Sequence, residues 1–208
     1  MKTIPITTTQ TRLVPFGQNQ TNLCYEVGRE VFLTLVVILK EPLDARLEIV
    51  LADEGANAVI VGVVMGKGED VINLKTYQHH KAPHTTSDLL IKSVINDSST
   101  FSYEGVIKVA PGAQQTNAYQ RNDSLMLSPH AHANTKPALE ILADDVRCTH
   151  GATIGKIDSE QLFYLESHGI TQKVAEEIII EGFLLSVTHR ITNEEMQNKM
   201  AQKIKEYL

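Results

Sequence analysis

Short apolar segments, each followed by a turn, run through residues 94–145 and restrict the possible folds most strongly. The turn residues Asp97, Pro111, Pro129 and Asp144 recur at intervals of 14, 18 and 15 residues, with no helical spacing of apolar residues between them. A single short strand cannot bury its apolar face alone, so the repeat predicts a solenoid of stacked strands. A two-sheet sandwich of short strands would also fit this pattern.

The length, charge and cysteine count limit the class of protein. A chain of 208 residues can bury a large core without disulfides or a metal, and its two cysteines favour a reducing compartment. The net charge is −6, with Lys and Arg scattered, so we expect no nucleic-acid site. The longest apolar run, Val31–Leu39, is too short to cross a bilayer, and the first residues lack the apolar core of a secretory signal. We therefore expect a cytoplasmic protein that binds no membrane.

Helical signals replace the strand repeat near residue 158. Asp158 and Thr171 are placed to cap two successive helices, and Thr192 with Glu195 forms a capping-box pattern for a third. We therefore predict a mainly β domain followed by a small helical domain. The predicted domains are residues 1–157 and 158–208.

Two stretches of the helical domain carry unusual apolar surfaces. Ile178–Val187 is apolar on nearly all sides, which predicts that neighbours cover it on more than one side. The last helix has an apolar stripe with a spacing of four residues. This stripe could pack on the strand domain or dock a partner, and the sequence favours neither. The stripe consists of Met196, Met200 and Ile204.

Cys148 and His150 are the candidate site of the strand domain. Residues two apart on a strand share one face, with Cα atoms about 6–7 Å apart. A thiol and an imidazole so placed can bind a metal or share a proton, but a buried cysteine beside a hydrogen-bonded histidine would show the same spacing. Cys24, in a mixed apolar and polar run, is interpreted as structural.

A second polar cluster contains His79, His80 and His84. His79 and His80 would point to opposite faces of a strand, and Pro83 breaks the run before His84, so joint metal binding is disfavoured. A solvated or interfacial cluster is the preferred interpretation. The nearby Gly66-Lys67 pair lacks the upstream glycine and the following Ser or Thr of a phosphate loop.

One long segment resembles a known family. Residues 143–171 read ADDVRCTHGATIGKIDSEQLFYLESHGIT and are similar to the C-terminal signature of the SufB/SufD family, scaffold components of the Suf iron–sulfur cluster assembly machinery. The segments QHHKAPHTTSDLLIKSVI, GVIKVAPGAQQTNAYQRNDSLMLS and NTKPALEILADD look like the same family, so the resemblance covers about residues 50–190. It implies a right-handed parallel β-helix with a small C-terminal helical domain.

The resemblance also implies partners. Members pair through the β-helix, here with a SufB-like scaffold or with a second copy, and a SufC-like ABC ATPase docks on the C-terminal helices. In that family the ATPase hydrolyses ATP, so this chain is expected to be a non-enzymatic scaffold subunit.

Particular positions resemble SufD rather than SufB. The C-x-H-G-A-T pattern begins at Cys148, and Asn122 stands where SufB-like members carry a cysteine before Asp-Ser-Leu. The long N-terminal helical region of full-length members is also expected to be missing.

The resemblance implies a role for Cys148 and His150. They are expected to hold iron or a nascent cluster at a dimer interface, with the other ligands from the partner, since two ligands are too few for a stable cluster. A protonated His150 would favour the Cys148 thiolate. No permanent cofactor is expected, only a transient iron–sulfur cluster shared between subunits.

Two other functions compete. A structural β-helix homo-oligomer without cluster chemistry is compatible with the asparagine at position 122. A β-helix enzyme acting on sugar or acyl substrates is disfavoured, because the adjacent Asp144 and Asp145 face opposite ways on a strand and make a poor acid/base pair.

Overall fold

A computed structural model describes residues 3–208, which form twelve β-strands, three α-helices and one short 3-10 helix. The strands are β1 (Thr3–Ile6), β2 (Gln10–Leu13), β3 (Asn22–Val27), β4 (Phe32–Leu39), β5 (Leu43–Leu51), β6 (Asn57–Gly66), β7 (Val71–His80), β8 (Thr86–Ile95), β9 (Thr100–Val109), β10 (Thr116–Met126), β11 (His132–Ile141) and β12 (Val146–Gly155).

Successive strands alternate between two parallel sheets. Sheet A has the order β1-β3-β5-β7-β9-β11, and sheet B has the order β12-β10-β8-β6-β4-β2. Each strand therefore pairs with the strand one full coil away rather than with its sequence neighbour. This arrangement confirms the predicted solenoid and excludes the two-sheet sandwich. The right-handed sense stays an implication of the family resemblance.

The repeat read from the sequence is half of one coil. Thr86 pairs with Asn57 in the preceding coil and with Asn117 in the following coil, so a coil in this part of the solenoid takes 29 to 31 residues. Each coil contributes one strand to each sheet. The four predicted turn residues all lie between successive strands, from Asp97 between β8 and β9 to Asp144 between β11 and β12.

The interior changes from apolar to polar along the solenoid axis. One inward-facing column of sheet B contains Ile60, Leu89, Gln120 and His150 on successive strands. The first three are fully buried, and His150 is exposed on the last strand. Aliphatic burial therefore stabilises the middle coils, whereas the last coils enclose amides and hydroxyls.

One corner of the solenoid repeats a left-handed backbone conformation. Glu30, Gly55, His84 and Gln115 all have φ between 55° and 71°. Each donates its backbone N–H to a carbonyl in the next coil, as His84 does to Gln114 at 2.9 Å. Only one of the four is glycine, so this ladder of hydrogen bonds holds three larger residues in a conformation that costs them free energy.

The helices begin close to the predicted caps. They are α1 (Ser159–Ser167), α2 (Gln172–Leu185), the 3-10 helix (Thr188–Arg190) and α3 (Glu194–Lys205). Asp158 caps α1 by accepting a bond from the Glu160 N–H, and α2 follows Thr171, whose side chain makes no capping bond. The predicted cap of α3 is wrong by one residue: Asn193, not Thr192, accepts the N–H of Met196. The division into two domains stays a prediction.

Helices α2 and α3 and the 3-10 helix cover the outer face of sheet B, and α1 packs on α2. Met200 and Ile204 are fully buried in a cluster with Val61, Val63 and Leu90 from the strands. The α3 stripe therefore packs on the strands and offers no docking surface. Arg190 reinforces the contact through an ion pair with Asp88, at 2.6 Å from Nη1 to Oδ1. None of the helices between residues 3 and 208 is both long enough and apolar enough to cross a bilayer.

Candidate functional site at the end of the solenoid

The C-terminal end of the solenoid is open within the described chain. Here β11 pairs only with β9, and β12 pairs only with β10, so each leaves one backbone edge without a strand partner. Apolar side chains are exposed beside these edges, with Leu142 62% and Ile154 42% accessible. An edge with unpaired N–H and C=O groups and apolar neighbours is suited to pairing with another strand.

Cys148 lies on the inner face of β12 and is half-buried. It packs against a small apolar cluster that includes Ile107, Val109 and Ala118. Burial raises the pKa of the Cys148 thiol above its usual value, and a hydrogen bond with the Ala118 backbone offsets this only in part. The thiol is therefore mostly protonated at neutral pH, and a ligand that needs the thiolate must displace its proton.

His150 follows on the same face and is exposed. In the register of β10 and β12, Cys148 lies beside Ala118 and His150 lies beside Gln120, so both share one face of the strand, as predicted, and the structure shows that this face belongs to the inward columns. No hydrogen bond joins Cys148 and His150 in the part of the chain that the structure describes. Burial is the dominant effect on the pKa of this thiol, and the expected influence of a protonated His150 stays a prediction. Their role as iron ligands stays a prediction.

Asn122 points into the solenoid rather than toward solvent. It is 1% exposed, and its Nδ2 donates to the Ile91 carbonyl at 3.3 Å in the preceding coil. Its register partner on the last strand is Ala152. Position 122 thus belongs to the interior of the next-to-last coil and stands two columns from Cys148.

Sequence reasoning missed a buried amide pair beside this end. Gln78 and Gln120 are both fully buried and meet across the interior, with Nε2 of Gln78 donating to Oε1 of Gln120 at 3.2 Å. The other polar atom of each amide has no hydrogen-bond partner among the described residues. Gly105 makes room for the pair, since a Cβ there would stand 2.4 Å from Nε2 of Gln120. A glycine within an alternating strand was the available sequence signal.

The outer face of the last strands carries a second missed cluster. Asp123 accepts two hydrogen bonds from Nε of Arg121, at 3.0 and 2.9 Å, and one from the Thr153 hydroxyl at 2.6 Å. The bond from Thr153 joins β12 to β10 through side chains. The cluster therefore ties the terminal strand β12 to β10 on the outer face.

The three histidines at the end of β7 and in the turn after it occupy three different environments, so the expected solvated or interfacial cluster is wrong for one of them. His80 is fully buried, and its two ring nitrogens lie 2.8 Å from the hydroxyls of Thr85 and Ser87. Burial lowers the pKa of His80 to about 3. His84 is an exposed turn residue. His79 lies on the outer face of β7, where partial burial lowers its pKa. These histidines do not form a joint site.

Metal-binding residues do not cluster within one copy of the described chain. Between residues 3 and 208, no three His, Cys, Asp or Glu side chains lie close enough together to hold a metal ion. Cys24 is buried far from the open end, and burial raises the pKa of its thiol. Cys148 and His150 could supply two ligands, and others would have to come from another molecule.

Comparison with known proteins identifies relatives along most of the chain. Residues 34–183 match the family model described as "SUF system FeS cluster assembly, SufBD core domain". This range runs from β4 to α2 and includes the open end.

Several curated proteins are similar over a comparable range. The chain is 35% identical over 154 residues to the iron–sulfur cluster assembly protein SufD of Escherichia coli, covering 74% of this chain and 36% of that protein. It is 35% identical over 142 residues to SufD of Bacillus subtilis, covering 68% of this chain and 32% of that protein. The chain therefore spans about a third of the length of these relatives.

Proposed function

The chain belongs to the SufBD core-domain family of the SUF iron–sulfur cluster assembly system, and on that premise we propose that it is a SufD-like scaffold subunit for cluster assembly. The observation that carries the proposal is the family match over residues 34–183, which includes the strands of the open end. In this role the chain positions partners and a nascent cluster and catalyses no reaction of its own.

The scaffold pairs through its open end. The unpaired edges of β11 and β12 and the exposed Leu142 and Ile154 support this part of the proposal. The partner is a SufB-like subunit or a second copy of this chain, and a two-fold axis would close the interface. Pairing also covers the polar interior of the last coil.

The nascent cluster is held where the two subunits meet. Cys148 and His150 supply a thiolate and an imidazole, which are suitable iron ligands, and the partner supplies the rest. Because burial raises the pKa of Cys148, iron must displace a proton, so binding strengthens as the pH rises. Asn122 adds no thiol to the site.

A SufC-type ATPase docks on the C-terminal helices. The structure limits how this can be tested, because α2 and α3 cover Val61, Val63 and Leu90 on sheet B. Truncation after residue 157 would expose this apolar face, so loss of binding by the shortened chain would not locate the docking surface. Point variants of the whole chain are needed.

Anaerobic reconstitution tests the cluster site. The full chain, a SufB-type partner and a SufC-type ATPase are mixed with iron and sulfide, and the visible charge-transfer band and cluster transfer to an apo-protein are followed. We expect Cys148→Ala and His150→Ala to slow both, whereas Cys24→Ala, a matched loss of a thiol far from the open end, leaves them at the parental rate. If both site variants fold, pair and assemble clusters at the parental rate, the site assignment is wrong.

One observation favours a second function. The half-buried, protonated Cys148 packs like a small apolar residue, which suits a structural homo-oligomer without cluster chemistry. In the same experiment this function predicts a stable dimer with no chromophore in the presence of any partner.

A further inference from the structure

The terminal strand β12 has few of the features that fix the register of a strand. Within the described chain it pairs with β10 alone, and none of its residues is buried. Register is set mainly by the burial of one strand face, and a slip by one residue turns every side chain to the opposite face. Such a slip would move Cys148 and His150 from the inner to the outer side of β12. The backbone cannot prevent it, because every register offers the same N–H and C=O groups.

One side-chain hydrogen bond distinguishes the observed register. Asp123 on β10 lies directly opposite Thr153 on β12, and its Oδ1 accepts the Thr153 hydroxyl at 2.6 Å. A hydroxyl bond this short is typical of an ionised carboxylate acceptor. Two bonds from Nε of Arg121 hold the same carboxylate in position on its own strand. Because Asp123 is only 7% exposed, loss of the hydroxyl would leave a buried carboxylate oxygen short of a partner.

The neighbouring registers provide no replacement for this bond. A slip of one residue would place Ala152 or Ile154 beside the carboxylate. A slip of two residues would place Gly151 or Gly155 there. None of these four side chains has a donor, so the carboxylate is satisfied by β12 only when Thr153 lies opposite it.

We propose that Asp123 and Thr153 form a register lock that keeps Cys148 and His150 on the inner side of the terminal strand. Both are positioning residues, because they lie on the outer face and touch neither the thiol nor the imidazole. Both lie in segments that resemble the SufB/SufD family, and the fold brings them together across 30 residues of chain. The inference rests on the proposed function only for the role of Cys148 and His150 as iron ligands.

Alkylation of the two cysteines tests the lock without iron, sulfide or a partner. The full chain is diluted until size-exclusion chromatography shows a monomer, and iodoacetamide modification of Cys148 and Cys24 is followed separately by mass spectrometry. Cys148 is half-buried, and burial raises the pKa of its thiol. Cys24 is buried far from β12, so its alkylation reports unfolding of the whole chain.

Thr153→Val removes the hydroxyl at nearly constant volume. We expect Cys148 to leave its packed position, so that its apparent pKa falls and its alkylation at neutral pH becomes at least about threefold faster. The Cys24 rate should not change. Thr153→Ala removes the same hydroxyl with less bulk beside the carboxylate and should act in the same way, which keeps the test decisive if valine disrupts the fold.

Two variants serve as controls. Thr153→Ser keeps a hydroxyl opposite Asp123 and should retain the parental rate and pKa of Cys148. Thr149→Val makes the same change on the outer face of the same strand, at an exposed residue whose side chain makes no hydrogen bond in the described chain. It should have no effect.

The outcomes separate the lock from the proposed function. Faster alkylation of Cys148 alone, absent in Thr153→Ser, supports the lock. If Thr153→Val and Thr153→Ala leave the Cys148 rate unchanged, or raise the Cys24 rate equally, the lock is overturned and the cluster site stands. If the lock is supported but Cys148→Ala and His150→Ala assemble clusters at the parental rate, the cluster site is overturned and the lock stands.

Discussion

The middle of the solenoid and its last coil share one backbone design but differ in what they enclose. Around β5 and β6 the interior consists of aliphatic residues such as Leu47, Ile49 and Ile60, all fully buried. Around β11 and β12 the inward positions carry Cys148 and His150, and no further strand of the described chain covers them. The middle coils provide stability, whereas the last coil leaves polar groups and strand edges available to a partner. The position of a coil in the stack therefore decides its role.

Removal of the same apolar volume from the middle coils and from the last coil should produce the largest difference in the free energy of unfolding. Leu47→Ala leaves a cavity among fully buried neighbours and should lower the free energy of unfolding by about 3 kcal/mol. Leu139→Ala on the half-buried inner face of β11 should cost less than about 1.5 kcal/mol, because water can fill the space. Urea denaturation of both variants measures the difference. Equal losses would show that the last coil is packed as tightly as the middle.

Acid should destabilise the buried part of the solenoid through His80. Its folded-state pKa of about 3 lies below the ordinary value of 6.5, so the unfolded chain binds a proton first as the pH falls. The contribution of neutral His80 to stability is complete above pH 6.5 and is lost as the pH falls toward 3. At pH 5 the loss should be about 2 kcal/mol.

Urea denaturation at pH 7 and pH 5 measures this loss, and His80→Gln is the control that removes the titrating group. The variant should show a flatter dependence on pH. An unchanged slope would contradict the assignment to His80.

Replacing a glycine by alanine should cost more stability in the crowded interior than at the open edge. Gly105→Ala places a methyl group against the Gln120 amide and the Tyr103 hydroxyl, at 2.4 and 2.5 Å, and should cost about 2 kcal/mol. Gly155→Ala at the end of β12 meets no atom within 4 Å and should be close to neutral. Thermal unfolding of the two variants checks this. A neutral Gly105→Ala would mean that the amide pair can move away.

The two edge strands of sheet B, β12 and β2, should differ in how strongly an added charge weakens self-association. We expect a homodimer at micromolar concentration in light scattering, joined through β11 and β12. Ile154→Lys places a charge on the terminal strand and should raise the dimer dissociation constant at least about tenfold, or roughly 1.4 kcal/mol. Thr11→Lys on β2, the opposite edge strand, is the matched control. A monomeric parental chain, or equal effects of both variants, would contradict pairing through the last coil.

The sequence predicted the fold where local signals agree with the global structure. Strand-and-turn spacing predicted the solenoid, because each turn residue closes half a coil, but only the strand order excluded the two-sheet sandwich that also fitted the spacing. Asp158 and Thr171 marked the starts of α1 and α2 correctly, although only Asp158 makes the local capping bond that explains the preference. The pair Cys148 and His150 was placed on one strand face from its spacing alone, because side chains two apart on a strand share a side.

Tertiary structure decided what each face meets. His80 was predicted to belong to a solvated or interfacial cluster, but stacking of β7 in the solenoid removes its imidazole from water. The apolar α2 helix was predicted to be covered on more than one side, and its contacts with α1, α3 and β8 confirm this, yet Val174 and Ile178 remain exposed. Strand spacing placed Cys148 on its face but could not reveal its raised pKa, because that pKa depends on the residues of β9 and β10 packed around the thiol. The sequence by itself determined the periodicity of the chain, whereas burial, and therefore protonation and exposed surface, required the position of every coil in the stack.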